Sequence, residues 1–308
     1  MSATRRRAHP RFPWHTWVGL TILVVAEAAI LRGAVWTATW FTPIQWTGYI
    51  LLIDGLVFRL CGASWLTSHR REFPFLILAS VGIWLLFEAF NLYLRNWLYL
   101  GVPPNPWVRD FAYLWSFATI APGVFETADL LHAAVRGSRA TLFPRGTPRP
   151  HSHGRWWIAG GLALVGLPLL LPADVAAYLF GLVWLGFIPL LEAVNARTGA
   201  ASLTRDGRSG GRTRVLALLG AGILCGLLWE TWNYQALIGG GAYWVYTLPE
   251  ALRPFGLHFG RMPVLGLLGF PPFAVELYAF YALLREAMGG DRRLLGTPTP
   301  ALRQPDGA

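Results

Sequence analysis

The sequence predicts an all-α integral membrane protein of eight transmembrane helices, built from two parallel four-helix repeats. Three observations predict it: an apolar composition, apolar runs of bilayer-spanning length, and an ordered series of internal matches. Of 308 residues, 54% are hydrophobic, and 34 glycines bring the apolar share to about 65%, against about 45–50% in soluble domains. Charged residues make up 14%, where roughly 25% is usual. This composition excludes a disordered chain and a soluble or disulfide-stapled globular domain.

Apolar runs near the ~20 residues that cross a bilayer lie at about 15–35, 44–60, 73–94, 110–131, 156–172, 175–194, 215–232 and 263–284. The first follows Arg5, Arg6, Arg7 and Arg11, as a signal peptide would. A cleavage site at Ala26-Glu27-Ala28, however, would place a carboxylate where small neutral residues belong, so this run is expected to stay as a helix. The organisation is then a tail over 1–14, a first repeat over 15–131, a linker over 132–155, a second repeat over 156–285 and a tail over 286–308.

All 26 basic residues are arginine and the formal net charge is +10. In a soluble chain that charge would point to nucleic acid; between apolar runs it reports topology. Arginines crowd the amino end, the 59–71, 132–155 and 197–214 segments and the carboxyl end, leaving only Arg32, Arg95, Arg109, Arg253 and Arg261 on the other side. Both termini are therefore expected in the cytoplasm of a multi-pass protein of the cell (inner) membrane, with the lipid bilayer as its partner and no nucleic acid. Trp36, Trp40, Trp46, Trp97, Trp107 and Trp244 then fall on the outer side, where a belt of interfacial tryptophans is expected. The segments near 137–155 and 198–212 read as flexible Gly, Pro, Ser and Arg connectors. His151 and His153 lie in the first of them without acidic or cysteine companions, a basic loop rather than a metal site.

The internal matches come in chain order. Gly62-Ala63 and Leu66-Thr67 match Gly199-Ala200 and Leu203-Thr204, which brings Asp54 close to Glu192. Glu88 and Asn91 match Glu230 and Asn233 as Glu-x-x-Asn among aromatics; Trp97-Leu98-Tyr99 matches Trp244-Val245-Tyr246; Pro122 and Glu126 match Pro272 and Glu276. The offsets grow as 137, 142, 147 and 150, as two diverged copies with loop insertions give. With four spans each, both copies sit the same way up, related by a pseudo-twofold axis along the membrane normal.

Glu88, Glu230, Glu126 and Glu276 all fall inside expected spans. At ~2.5 to 3.5 kcal/mol each, four such acids oppose insertion by roughly 10 to 14 kcal/mol unless protonated, paired or wetted. Asn91 and Asn233, three residues after their glutamates, share a helix face with them. Glu126 shares a face with Asp129, which is expected near the cytoplasm and solvated. Pro122, and Pro271 with Pro272, precede their glutamates by one turn, where a kink opens space beside the acid. The plain alternative is interhelical hydrogen bonding, worth about 0.6 kcal/mol per bond. Glu27 and Asp54 are also intramembrane on these boundaries, with Asp54 within snorkelling reach of water. The segment from Asn233 to Met262, about thirty residues with no evident helix, reads as a lid over a cavity floored by Glu230 and Glu276, or as an interfacial amphipathic segment. Cys61 and Cys225 fall on different helices, so neither a disulfide nor a thiolate site is expected. No Gly-rich phosphate loop, Gly-x-Ser-x-Gly, His-Glu-x-x-His or paired Asp-rich motif occurs, so no metal and no cofactor are expected.

Trp229-Glu230, Trp244-Val245-Tyr246, Pro272 and Glu276, with an echo at Glu88, Trp97, Tyr99, Pro122 and Glu126, resemble the small integral-membrane isoprenoid cyclases of the lycopene-cyclase-domain and meroterpenoid-cyclase kind. The resemblance covers about a third of the chain. The lycopene-cyclase type carries adjacent glutamates soon after its proline; here a single Glu276 follows four residues later. The resemblance implies an all-helical, cofactor-free enzyme that protonates an alkene or epoxide of a hydrophobic substrate with intramembrane acids. It implies Glu230 as proton donor and Glu276 as its partner, with Glu88 and Glu126 repeating or bracing that arrangement. Asn233, Asn91, Trp229, Trp232, Trp244 and Tyr246 are the expected substrate contacts; the aromatic faces, Trp84 included, would attract a carbocation by ~2 kcal/mol or more once desolvated. The competing expectation is a proton-coupled carrier, a lipid-binding protein or a structural membrane protein.

Overall fold

A computed structural model describes residues 10–136, 154–206 and 211–290. The two tails in large part, Arg5, Arg6 and Arg7, and most of the 132–155 linker with His151 and His153 lie outside the described residues.

Proline and glycine punctuate the first half. Helix α1 (Trp14–Leu31) starts directly after Pro13, and α2 (Val35–Thr39) is a single turn. Helix α3 (Phe41–Cys61) ends on Gly62, whose φ of 73° is the left-handed conformation a glycine cap supplies without steric cost. The short α4 (Trp65–Ser68) leads to α5 (Phe73–Leu94), which has proline in its first turn. After it come strand β1 (Trp97–Leu100), α6 (Pro106–Ala118), capped by the Asn105 side chain, and α7 (Ile120–Arg136). The second half runs α8 (Gly154–Leu170), α9 (Ala173–Ala176), α10 (Phe180–Thr198), α11 (Leu203–Asp206), α12 (Gly211–Ile238), β2 (Tyr243–Tyr246), β3 (His258–Phe259), β4 (Met262–Pro263) and α13 (Val264–Ala287).

Among the described residues six helices, α1, α3, α5, α10, α12 and α13, are long and apolar enough to cross a membrane. The sequence predicts eight spans, and the other two differ for identifiable reasons. The 156–172 run folds as α8, whose 17 residues reach only about 25 Å. The 110–131 run is broken at Thr119 into α6 and α7. Pro122 has no N–H to give the carbonyl of Ala118, the last residue of α6, so the hydrogen-bond ladder stops there. Pro122 accordingly sits in the first turn of α7 and not at a kink within a span; Pro271 and Pro272 do lie inside α13. The 233–262 segment also departs from a helix-free loop. Helix α12 continues to Ile238 and stops at Gly239-Gly240-Gly241, where Gly240 has a φ of 74°. The remainder holds β2, two single 3₁₀ turns and the β3–β4 hairpin.

Helix α1 packs on α3 and α8 on α10 through matched glycines. A Cβ added at Gly19 would lie 2.5 Å from the Gly48 carbonyl oxygen, and one at Gly161 would lie 2.7 Å from that of Gly186. Small residues let backbones approach closely, which is how apolar helices adhere without a hydrophobic driving force between them. Helix α12 packs against α7 and α13, and α13 also against α10, so the core lies where the two halves meet.

Three acids act as fasteners. Asp54 is fully buried and does not reach water: it takes hydrogen bonds from the Ser64 hydroxyl (2.8 Å) and the Leu66 N–H (2.9 Å) and pairs with His15 at 2.7 Å. Glu192 takes equivalent bonds from Ser202 and the Leu203 and Thr204 N–H groups. Glu27 accepts from Gln45 (2.6 Å) and Gln235 (2.8 Å), joining α1, α3 and α12. Asp129 is fully buried, contrary to the expected solvated position.

Strands β1 and β2 pair antiparallel, with Trp97 opposite Tyr246, Leu98 opposite Val245 and Tyr99 opposite Trp244. Since Trp97 matches Trp244 in sequence and Tyr99 matches Tyr246, a local twofold relation passes between Leu98 and Val245.

Candidate functional site

The two strands form one wall of a cavity of about 430 Å³ at the junction of the halves, within the range of small-molecule sites. Each strand is held to its helix by the asparagine expected at a substrate. Asn91 accepts from the Asn96 and Trp97 N–H groups and donates to the Trp97 carbonyl (2.9 Å). Asn233 accepts from the Trp244 N–H (2.9 Å) and donates to the Trp244 carbonyl (3.0 Å). Both amides therefore set the backbone that carries the cavity's aromatic rings.

Fifteen of the 34 lining residues are aromatic and none carries a charged side chain. Trp84, Trp97 and Tyr99 come from the first half; Trp229, Trp244 and Tyr246 come from the second. Trp84 and Trp229 meet across the junction with ring centroids 5.5 Å apart, and Trp229 is as close to Trp244. Trp232, expected at the substrate, stands behind the wall instead, edge-on to Trp46 at 4.9 Å. Sequence reasoning missed Trp46, Trp184, Phe270 and Phe273, which also line the cavity. Trp46 and Trp184 are separated by 138 residues, so extending the internal matches toward the amino end finds both. Trp97 and Trp244 are buried in the wall and not in an exposed belt, whereas Trp36 and Trp107 are exposed.

The four glutamates do not converge on this cavity; none lines it. Half-buried Glu88 stands directly behind the wall and accepts from three of its rings: the Tyr99 hydroxyl at 2.5 Å, Trp84 Nε1 at 2.8 Å and Trp97 Nε1 at 3.1 Å. Burial, then the adjacent Glu88 charge, raises the Tyr99 hydroxyl well above its ordinary pKa, so it remains a donor. Glu230 is fully buried and engaged differently. It accepts from the Arg261 N–H in the β3–β4 turn, from Asn233 at 3.3 Å and from the Tyr246 hydroxyl at 3.4 Å. Gly260 lies so close that an added Cβ would fall 2.7 Å from Glu230 Oε1. The two acids are thus engaged differently: one holds aromatic donors, the other anchors a hairpin.

Glu126 and Glu276 lie deeper, fully buried on α7 and α13. Neither Glu276 oxygen has a hydrogen-bond partner among the described residues, so no bond joins it to Glu230. No cluster of three or more histidine, cysteine or acidic side chains suited to a metal ion occurs among the described residues. No family model, curated protein or solved structure matches the chain.

Proposed function

We propose that this chain is a polytopic membrane protein that takes an apolar small molecule, of the isoprenoid or another lipid class, into the aromatic cavity and protonates it, as a cyclase or isomerase does. In this reading the molecule is a pair of parallel four-helix repeats about a pseudo-twofold axis, with both termini in the cytoplasm and α8 and the broken α6–α7 segment completing the two sets. The observation that carries the proposal is the Tyr99 hydroxyl, a wall group held 2.5 Å from Glu88. For this step Glu88 is protonated and the bond it makes with Tyr99 reverses: Glu88 gives its proton to the Tyr99 oxygen as Tyr99 gives its own to an alkene carbon, forming a new C–H bond and a carbocation. The surrounding rings attract that cation. Loss of a neighbouring C–H proton back through Tyr99 to Glu88 forms the product alkene and restores the pair, so no cofactor is consumed. Tyr246 with Glu230 is the matched group of the second half, and Glu230 also positions the hairpin beside it.

The second reading is binding or carriage without chemistry, favoured by the absence of all four glutamates from the cavity wall. The test is untargeted lipid and isoprenoid mass spectrometry on cells making the parent chain, Glu88→Gln, Tyr99→Phe or Glu230→Gln at equal membrane abundance. A neutral lipid formed by the parent and lost in Glu88→Gln and Tyr99→Phe supports the enzyme. Identical profiles in all four strains refute it and leave the binding reading.

A further inference from the structure

We infer that the cavity is entered from within the membrane, through a side opening between the first turns of α10 and α13, by a neutral molecule dissolved among the lipid chains. The inference rests on the cavity described above but on none of the proposed chemistry.

Five residues line the cavity and lie on the outer surface of the molecule at once: Tyr178 just before α10, Gly181 and Leu185 on α10, and Leu265 and Leu268 on α13. The three leucines are 49%, 41% and 63% exposed. Their spacings, four on one helix and three on the other, keep each pair on one helix face. Between the two helices the rim is Gly181 and three leucines, with the Tyr178 hydroxyl its one polar side-chain group, so water gains little there, while a lipid chain or a dissolved hydrocarbon meets surface like itself.

The first half has the same positions and seals them. By the offsets of the flanking matches, Gly181 and Leu185 correspond to Pro43 and Thr47 on α3, and Leu265 corresponds to Trp115 on α6. Pro43 is buried, and the Trp115 indole N–H donates to the Thr47 hydroxyl at 3.0 Å across the gap. Trp40 and Phe111 close over it, each with its ring centroid about 6 Å from that of Trp115. A near-symmetric cavity is therefore bolted on one side by a tryptophan and left unfilled on the other. Leu265, smaller than Trp115 and without its indole N–H, leaves the second side without that seal.

Gly181 makes the opening testable. A Cβ there meets nothing within 4 Å, so Gly181→Trp adds bulk at the rim without a backbone conflict; Gly160 on α8, equally open, serves as control. The full-length chain in phosphatidylcholine vesicles is photolysed with a trifluoromethyl aryl diazirine dissolved in the bilayer, and labelled residues are mapped by mass spectrometry. Trp97 and Trp244, buried in the wall, are expected to be labelled in the parent and in Gly160→Trp, and to lose that labelling in Gly181→Trp. Leu216, exposed on the outer face of α12, is expected to be labelled in all three. A second variant introduces the plug after folding: Gly181→Cys modified with a bulky disulfide-forming reagent loses wall labelling and regains it on reduction. Wall residues unlabelled in the parent, or labelled equally with the rim plugged, overturn the inference. Unchanged lipid profiles in the Glu88 and Tyr99 variants would refute the enzyme and leave this labelling pattern intact.

Discussion

The Arg285 guanidinium donates to Glu72 twice, Nε to Oε1 at 2.6 Å and Nη2 to Oε2 at 3.2 Å, and the Tyr281 hydroxyl adds a bond at 2.9 Å. This buried pair ties the last turn of α13 to the residue that opens α5, 213 positions earlier.

Burial pushes the Glu72 carboxyl up, but the His69 and Arg285 hydrogen bonds, the Arg285 charge and Tyr281 together outweigh it and hold the group down to about 2 from an ordinary 4.5. A depressed carboxyl stabilises fully above pH 4.5, and that stabilisation fades as the pH falls from there through about 2. Glu72→Gln is expected to cost about 3 kcal/mol at pH 7, with the gap to the parent closing toward pH 2. Thermal unfolding in detergent across that range measures it; a gap of constant size would contradict the ion-pair account.

Close backbone approach makes certain glycines irreplaceable. A Cβ at Gly241 would fall 2.0 Å from the Ala38 carbonyl carbon, whereas one at Gly160 meets nothing within 4 Å. Gly241→Ala should lower the unfolding midpoint sharply, by the 1–3 kcal/mol or more that overpacking costs. Gly160→Ala, in an exposed helix position, should be neutral or slightly stabilising. Similar midpoints for the two variants would show that the glycine turn after α12 is not in such contact with α2.

The Asn91 and Asn233 clamps predict a matched pair of defects. Replacing either with leucine strands N–H and C=O groups of β1 or β2, at about 1–3 kcal/mol for each group left unsatisfied. Both variants should lose part of the near-UV circular dichroism of the tryptophan wall, and by similar amounts. A loss confined to Asn233→Leu would mean that β1 is held in place by other contacts.

Thiol accessibility follows from burial alone. Cys61 is partly exposed and Cys225 is buried against α7, with its sulfur 3.4 Å from the Thr127 hydroxyl. One thiol should react with a membrane-permeant maleimide in the folded protein and two after denaturation; two reacting at the outset would contradict the α7–α12 contact.

The chain's helical membrane character was legible because composition and run length express it directly, and α3, α5, α12 and α13 lie close to the apolar runs that predict them. The break at Thr119 was written in Pro122, yet hydropathy averages across it. The site was half legible. Matching Trp97 with Trp244 and Tyr99 with Tyr246 located the aromatic wall, because repeated aromatics beside repeated acids stand out. The roles of the acids were not legible, since direction of approach is a tertiary property: Glu88 meets ring N–H and O–H donors, while its counterpart meets the backbone of a hairpin 31 residues farther along the chain. Both asparagines looked available to a ligand because sequence shows a side chain's chemistry and not whether its own backbone has already claimed it.

The pairing of Trp97 with Tyr246 spans 149 residues of chain, which places one event late in the life of every molecule. During synthesis β1 emerges with five helices behind it and has no strand to pair with until α12 has been made and threaded. Until then its N–H and C=O groups lack their ladder partners, and the aromatic half-pocket lacks its opposite wall. Completion of the second half closes the enclosure as a final act of assembly, so a chain halted in the segment between the halves would present Trp84, Trp97 and Tyr99 as an open groove and not as a chamber.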